Sequence, residues 1–414
     1  MSYSHANCER EIMRVEILCT GDEILTGKTV NTNYSHMARR LGEVGLTVHW
    51  GTTVGDDRDS LLQAFRQAGE RADAVIVNGG LGPTVDDLSQ EIAAEACGVK
   101  LVLSEHWLQR MTESYARRGR VMPANNRKQA MLPENAEFID NPIGTACGFA
   151  VTIGKARFLF TPGVPREMRR MLDDEVIPRL LKQGGITGVT RLKRFHSFGI
   201  GESRADEMLA GIPGLAIDGH ESGGIKLGFQ AHFPELETKL AVKGETDAEL
   251  AARLAPIEAE VRRRLGNFVV AEDEQTLEGV VLGRMKERGL TLAVAEGFTG
   301  GRIAARLSPH ADAGPVFKLG LVGRKVSAAA LRAEIGVSHA ISVSAVLDEG
   351  PDRPDFGGTV TIEIANGDGS VTRTARLVGI RDWIRTGASE LALDCLRRQL
   401  LGLPVDERID FERR

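Results

Sequence analysis

The chain repeatedly ends a short apolar run in glycines and acids, and residues 73–87 show this most clearly. Asp73-Ala74-Val75-Ile76-Val77 reads as a buried strand of a parallel sheet. It runs directly into Asn78-Gly79-Gly80-Leu81-Gly82-Pro83-Thr84-Val85-Asp86-Asp87. Glycines at the end of such a strand let backbone N–H groups approach a phosphate closely. Two adjacent carboxylates a few residues later can hold a divalent cation against that phosphate. This predicts nucleotide binding or phosphoanhydride chemistry. The plainer alternative is a tight strand-to-helix turn in which Asp86 or Asp87 caps the helix.

A second instance lies near the start. Val15-Glu16-Ile17-Leu18 is a strand that leads into Thr20-Gly21-Asp22-Glu23-Ile24-Leu25. Ligands of open α/β sheets bind beyond the carboxyl ends of the strands, near the topological switch point, so two acidic strand ends can converge on one crevice. Asn31-Thr32-Asn33 then opens a helix through His36, Ala38 and Leu41, with Asn31 read either as its N-cap or as a ligand contact. Three more turn-rich stretches border apolar strands: Asn125-Asn126-Arg127-Lys128, Asn141-Pro142-Ile143-Gly144-Thr145-Ala146-Cys147-Gly148-Phe149, and Thr161-Pro162-Gly163-Val164-Pro165-Arg166-Glu167-Met168.

In this order, over roughly Met13 to Leu180, these motifs closely resemble the amino-terminal domain of the CinA family, which shares the molybdopterin-binding fold of MoaB and MogA. The resemblance implies a three-layer α/β domain. It also implies a metal-dependent pyrophosphatase that splits ADP-ribose into AMP and ribose 5-phosphate. Carried over residue by residue, Asp22, Glu23 and Asp87 are the expected catalytic groups, and Asp22, Asp86 and Asp87 the expected metal ligands. Gly21, Gly79, Gly80, Gly82, Thr84, Asn125, Asn126, Lys128, Gly144 and Thr145 are the expected substrate contacts, and Asn31 and Asn33, from their own place after the first strand, are further candidates. The implied cofactor is a divalent cation (Mg, Mn or Co), with a monovalent cation as a further candidate. A metal-activated water and Asp87 both remain open as general base. Where the family reads Gly-Thr-Ala-Pro-Gly-Phe, Cys147 replaces the proline, which changes loop stiffness more than chemistry. A molybdopterin- or nucleotide-binding module and a non-catalytic scaffold are the alternatives. The family resemblance favours a homodimer.

A length of 414 residues predicts two or three domains, here 13–182, 183–272 and 273–414 after a disordered lead-in at 1–12. A net charge of −5 argues against a general nucleic-acid surface, and Arg117-Arg118-Gly119-Arg120 and Arg262-Arg263-Arg264 read as solvated helix faces. No apolar run approaches a membrane span, and the N-terminus has no h-region. The five scattered cysteines include no C-x-x-C pair, which fits a reducing, cytoplasmic setting.

The middle segment reads as a small α+β unit: strands at 191–198, 225–229 and 238–242, and a helix over 247–265. Gly199-Ile200-Gly201-Glu202-Ser203 is read as a turn and helix cap. His196 and His220 have no metal-spaced partners and read as structural or surface residues.

The last third resembles the CinA carboxy-terminal domain, an α/β frame whose active members are nicotinamide mononucleotide deamidases. Their Glu-Ser-Cys-Thr-Gly-Gly motif is here Glu296-Gly297-Phe298-Thr299-Gly300-Gly301, so Gly297 stands where the nucleophilic serine belongs. The activating Tyr and Lys align with Val326 and Leu331, and about one helix is missing between Val337 and Ser338. Neither side chain can transfer a proton, and losing one member of a nucleophile–base unit removes most covalent catalysis. Lys325 is a remote candidate to replace the lost lysine. The expectation is an inactive deamidase frame.

Overall fold

The computed structural model describes residues 13–186, 188–216, 224–323, 325–353 and 355–413. The expected lead-in at 1–12 and His220 lie outside the described residues. The chain divides into two compact units, Met1–Thr190 and Arg191–Arg414.

In the first unit β1 (Val15–Thr20) is followed by a single helical turn, α1 (Asp22–Leu25), and by α2 (Thr32–Glu43). Next come β2 (Val48–Val54), α3 (Arg58–Arg71), β3 (Ala74–Asn78) and α4 (Ser89–Cys97). The short β4 (Leu101–Leu103) precedes α5 (Glu105–Arg117), a 3₁₀ segment Ala124–Ala130, and β5 (Met131–Pro133), which pairs with β4. The unit closes with β6 (Glu137–Ile139), β7 (Gly148–Ile153), β8 (Ala156–Thr161), α6 (Pro165–Met171) and α7 (Ile177–Gln183).

The main sheet has the order β2-β1-β3-β8-β7-β6. The β2, β1, β3 and β8 strands are parallel, and β7 and β6 close the sheet antiparallel. The period-2 pattern sends alternate residues to opposite faces. Ile17, Ile76 and Leu159 pack with Met37 and Leu41 of α2 and with Met168 and Leu180. Leu18, Val75, Val77 and Phe160 pack on the other face against Phe65 of α3, Ile92 of α4 and Trp107 of α5. Two apolar faces, each covered by helices, make the three layers. β1 lies between β2 and β3, so successive connections leave it in opposite directions, and the switch point falls at the carboxyl ends of β1 and β3.

The second unit holds two five-stranded sheets. The first comprises β9 (Val189–Phe198), α8 (Glu202–Leu209), β10 (Leu215–Ala216), β11 (Ile225–His232), β12 (Glu235–Gly244), α9 (Asp247–Leu265) and β13 (Val269–Glu272), with strand order β10-β11-β12-β9-β13. Gly201 is the N-cap of α8, as the turn reading expected. The second contains α10 (Leu277–Glu287), β14 (Leu292–Glu296), α11 (Arg302–Leu307), α12 (Ala313–Val316) and β15 (Phe317–Val322). It continues through α13 (Ala328–Ile335), β16 (His339–Leu347), β17 (Gly357–Asn366), β18 (Gly369–Val378) and α14 (Arg381–Leu401). Its order is β15-β14-β16-β17-β18. Arg262, Arg263 and Arg264 on α9 pair with Glu258, Glu260 and Glu272 at the surface, in keeping with a solvated face.

Two polar links stand out in this unit, one between α14 and the turn before β13 and one within the first sheet. Asp394, buried in α14, accepts from Arg397 at 2.8 Å and Arg398 at 2.7 Å, and Arg397 also donates to the Asn267 carbonyl at 2.7 Å. His196 of β9 pairs through Nδ1 with Glu235 of β12, while its Nε2 sits 2.7 Å from the Asp273 carbonyl oxygen. Its role is structural, as expected. The Glu235 hydrogen bond raises the His196 pKa above the ordinary 6.5, against the opposing effect of burial. A raised histidine pKa stabilises fully below the unfolded value and loses that contribution as pH rises through the folded value. Urea unfolding of the full chain between pH 6 and pH 8 is therefore expected to show a fall in stability with rising pH that His196→Gln flattens. An equally steep fall in the variant would show that another group controls it.

Candidate functional site

The crevice is built by the loops that follow β1, β2, β3 and β8. Its framework is amide hydrogen bonding. Asn78, the last residue of β3, donates from Nδ2 to Thr161 Oγ1 at 3.2 Å and to the Pro162 carbonyl at 2.7 Å. Its Oδ1 accepts from Asn33 Nδ2 at 2.9 Å, and the same nitrogen reaches the Gly163 carbonyl at 2.7 Å. Gly79 N–H donates to the Thr161 carbonyl at 3.0 Å. A Cβ at Gly79 would lie 2.5 Å from Thr20 Oγ1 and 2.9 Å from the Thr20 carbonyl oxygen, at a φ of +113°. Only glycine lets the ends of β1 and β3 approach this closely. Thr20 Oγ1 and Asn33 Oδ1 are buried without a protein partner among the described residues.

Several expected substrate contacts are structural instead. Asn31 is the N-cap of α2, its side chain accepting from Tyr34 N–H at 2.9 Å. Asn33 is a buried clamp rather than an exposed contact, because the first turn of α2 points it at Asn78. Asn126 is also buried, donating to Tyr115 Oη at 3.0 Å and Gln129 Oε1 at 2.9 Å; the 3₁₀ turn rotates it inward. Asn125 is exposed, with no side-chain bond among the described residues. Lys128 Nζ is held 2.8 Å from the Thr84 carbonyl, and Gln129 Nε2 lies 3.2 Å from the Leu81 carbonyl. These two side chains grip the Gly79–Thr84 loop from behind. Among the described residues the N–H groups of Gly80 and Gly82 have no protein acceptor, which leaves them available to an anion.

The acids arrange themselves differently from the expected trio Asp22, Asp86 and Asp87. Asp87 turns onto its own loop, where its Oδ2 accepts from the N–H and hydroxyl of Thr84. A short carboxylate three residues past a turn is well placed to satisfy it, and this withdraws Asp87. Neither Asp86 nor Asp87 caps α4, whose N-cap is Leu88. Asp22 instead faces Asp56, in the loop after β2: Asp22 N–H donates to Asp56 Oδ2 and Asp56 N–H to Asp22 Oδ1, both at 3.2 Å. Burial, followed by the charges of Asp22, Glu23 and Asp86, raises the Asp56 pKa above 3.8. Asp86 is exposed, and its pKa is lowered first by the Thr84 hydroxyl and also by Lys128. Three consecutive strand ends thus bring acids into one electrostatic neighbourhood. Asp56 was missed in the sequence, although Val54-Gly55-Asp56-Asp57 repeats the same strand-glycine-acid signature.

All these donors are oxygens, the type that suits a hard divalent cation. Among the described residues, however, no group of three or more His, Cys, Asp or Glu side chains stands ready to hold a metal ion. Gly144 and Thr145 belong to a different loop: Gly144 N–H donates to Asn141 Oδ1 at 3.0 Å, and the Thr145 carbonyl accepts from Trp107 Nε1 at 2.9 Å. Cys147 is buried there, and burial pushes its thiol pKa up.

The sequence matches the family described as "Probable molybdopterin binding domain" over residues 16–182. It matches "Damage-inducible protein CinA KH domain" over 192–271 and "CinA C-terminal domain" over 274–328. A CinA-like protein of Shewanella sediminis is 37% identical over 424 residues, covering 95% of this chain and 97% of its own. Another from Geobacter sulfurreducens is 37% identical over 417 residues, covering 94% of this chain and 100% of its own. The chain belongs to the CinA family. Among solved structures, CinA of Thermoplasma acidophilum, described as of unknown function, is 36% identical and covers 40% of this chain and 97% of its own, with a TM-score of 0.37. MoaB of Thermus thermophilus is 20% identical and covers 42% and 97%, with a TM-score of 0.30.

The CinA C-terminal match stops at residue 328, beside the expected point of departure. Glu296, at the end of β14, is buried and accepts from Thr299 Oγ1 at 2.6 Å, Ile303 N–H at 3.1 Å and Ala304 N–H at 2.8 Å. It fastens the start of α11 to the sheet. Gly297 follows with no side chain, Leu331 is buried in the core, and Lys325 is exposed. Gly336 ends α13, and β16 begins at His339, so the two are joined by a tight turn. No helix among the described residues is long and apolar enough to cross a membrane.

Because Asp56 ionises less readily when folded, its charge destabilises the fold above the ordinary 3.8, and stability is regained as pH falls through the raised value. Asp56→Asn keeps the acceptor for Asp22 N–H and removes the repulsion. Its melting temperature at pH 7 is expected to exceed that of the unaltered protein. A lower melting temperature would mean that the Asp22–Asp56 contact is net attractive.

Proposed function

We propose that the first unit hydrolyses the diphosphate of a nucleotide sugar, with ADP-ribose as substrate and AMP and ribose 5-phosphate as products. The observation that carries this reading is the meeting of acids from the ends of β1, β2 and β3 beside a glycine turn with open N–H groups. The family resemblance supports the choice of substrate. No three carboxylates stand ready as a metal cage among the described residues, so a divalent cation would have to draw Asp22, Asp56 and Asp86 together; when bound it would supply Lewis acidity and neutralise charge on the leaving phosphate. Gly80 and Gly82 N–H groups bind phosphate oxygens, and the Thr20 hydroxyl offers a further donor at the base of the crevice. Asp87 is engaged by the N–H and hydroxyl of Thr84, which counts against it as the base for an attacking water. We also propose that the carboxy-terminal frame has no deamidase activity, because Gly297, Val326 and Leu331 supply neither nucleophile nor base.

The molybdopterin-binding match favours a second reading, a site that binds a pterin without cleaving a diphosphate. Product analysis separates the two. Purified protein with ADP-ribose and Mg²⁺, Mn²⁺ or Co²⁺ is expected to release AMP, and Asp22→Ala and Asp56→Asn to lower kcat by at least ~10²-fold, the scale of losing one transition-state-stabilising group. Unchanged turnover in both variants would remove the acids from the mechanism, and no AMP with any metal would leave the pterin reading. Nicotinamide mononucleotide run in parallel is expected to remain intact.

A further inference from the structure

The first unit has a cavity of about 370 Å³ that none of the crevice acids lines. The end of α5, the Asn141–Gly144 loop and the start of α6 line it. Four arginines reach it, but they are not equivalent. Arg110 is committed: it pairs with Asp140, donates to the Asn141 carbonyl and stacks 4.7 Å over the Trp107 ring. Arg117, Arg118 and Arg166 are exposed and have no carboxylate partner among the described residues. Arg117 and Arg118 are solvated at the end of α5, as the sequence reading expected, and they also line a concavity shared with Arg166, which comes from a different helix.

Three guanidinium groups share one cavity, and the carboxylate at its edge, Glu167, is bound by Asn141 Nδ2 at 2.7 Å and pairs with none of them among the described residues. Planar forks that each offer paired N–H donors match the several oxygens of a phosphate dianion better than a single carboxylate. The cavity also adjoins the crevice through the β8–α6 loop. Gly163 lies against Gly79, where a Cβ at Gly163 would be 3.7 Å from the Gly79 Cα, and Arg166 follows three residues later. We propose that this cavity is a phosphate-monoester site for a small-molecule ligand, with Arg117, Arg118 and Arg166 as its anion-binding residues. The proposal stands independently of ADP-ribose hydrolysis.

The test is calorimetric titration of the full chain with ribose 5-phosphate, inorganic phosphate and ribose. Ribose 5-phosphate is expected to bind and ribose not to bind. The double variant Arg117→Gln/Arg118→Gln and the single Arg166→Gln are each expected to weaken binding by ~10-fold or more, the scale of a lost charge-assisted hydrogen bond. Ser114→Trp, which fills the cavity and keeps every charge, should abolish it. Ribose 5-phosphate binding more tightly than inorganic phosphate identifies a sugar phosphate as the ligand, and equal affinities identify the free anion. No binding of either, or unchanged binding in all three variants, overturns the proposal. Because binding is read directly, absence of AMP release from ADP-ribose would leave this result standing.

Discussion

The hydrogen bonds of Asn78 hold the first unit's working end together. One side chain at the end of β3 engages β8 through Thr161, the β8–α6 loop through Pro162 and the start of α2 through Asn33. These bonds are buried, so each group left unpaired would cost about 1–3 kcal/mol. They fix where the loops leave the sheet, and with Gly79 pressed against Thr20 they leave little freedom in the floor of the crevice. The positions of the acids and of the Gly80 and Gly82 N–H groups follow from that fixed floor.

On this rigid base the electrostatics run against stability. Asp56 is pushed up by burial and by neighbouring negative charges, yet nearby Lys128 spends its ammonium on a carbonyl and on Glu91. A fold that keeps like charges together carries a cost that a cation or an incoming cationic group would relieve. The cavity at Arg117, Arg118 and Arg166 shows the opposite imbalance in the same unit. Negative charge gathered at the strand ends and positive charge gathered beside the next loop suit a ligand, or two ligands, with separate metal-binding and phosphate-bearing parts.

The second unit keeps its carboxy-terminal frame fully packed. Glu296 still fastens α11 to β14, and the core around α10 and α14 is complete. The Asp394–Arg397–Arg398 cluster sits fully inside, and breaking a buried pair of this kind costs about 3–5 kcal/mol. Such packing depends on hydrophobic pattern and on paired charges, neither of which requires a side chain at Gly297.

The sequence by itself determined the strands, the switch of period from two to 3.6, the glycine-and-acid strand ends and the absence of a side chain at Gly297, because each is written in neighbouring residues. It also carried the signature at Gly55-Asp56 that points to the third acid. Only the tertiary structure decided which side chains face the ligand. Asn33 and Asn126 look like ligand contacts in the sequence, yet helix and 3₁₀ rotation bury them; Asp87 looks like a metal ligand, yet its own turn satisfies it. Arg166 lies 49 residues beyond Arg117 in the chain, and only the packing of α5 against the Asn141–Thr145 loop, with α6 beside it, makes them line one cavity. Local pattern specifies backbone, whereas direction and pairing of polar side chains depend on partners distant in sequence.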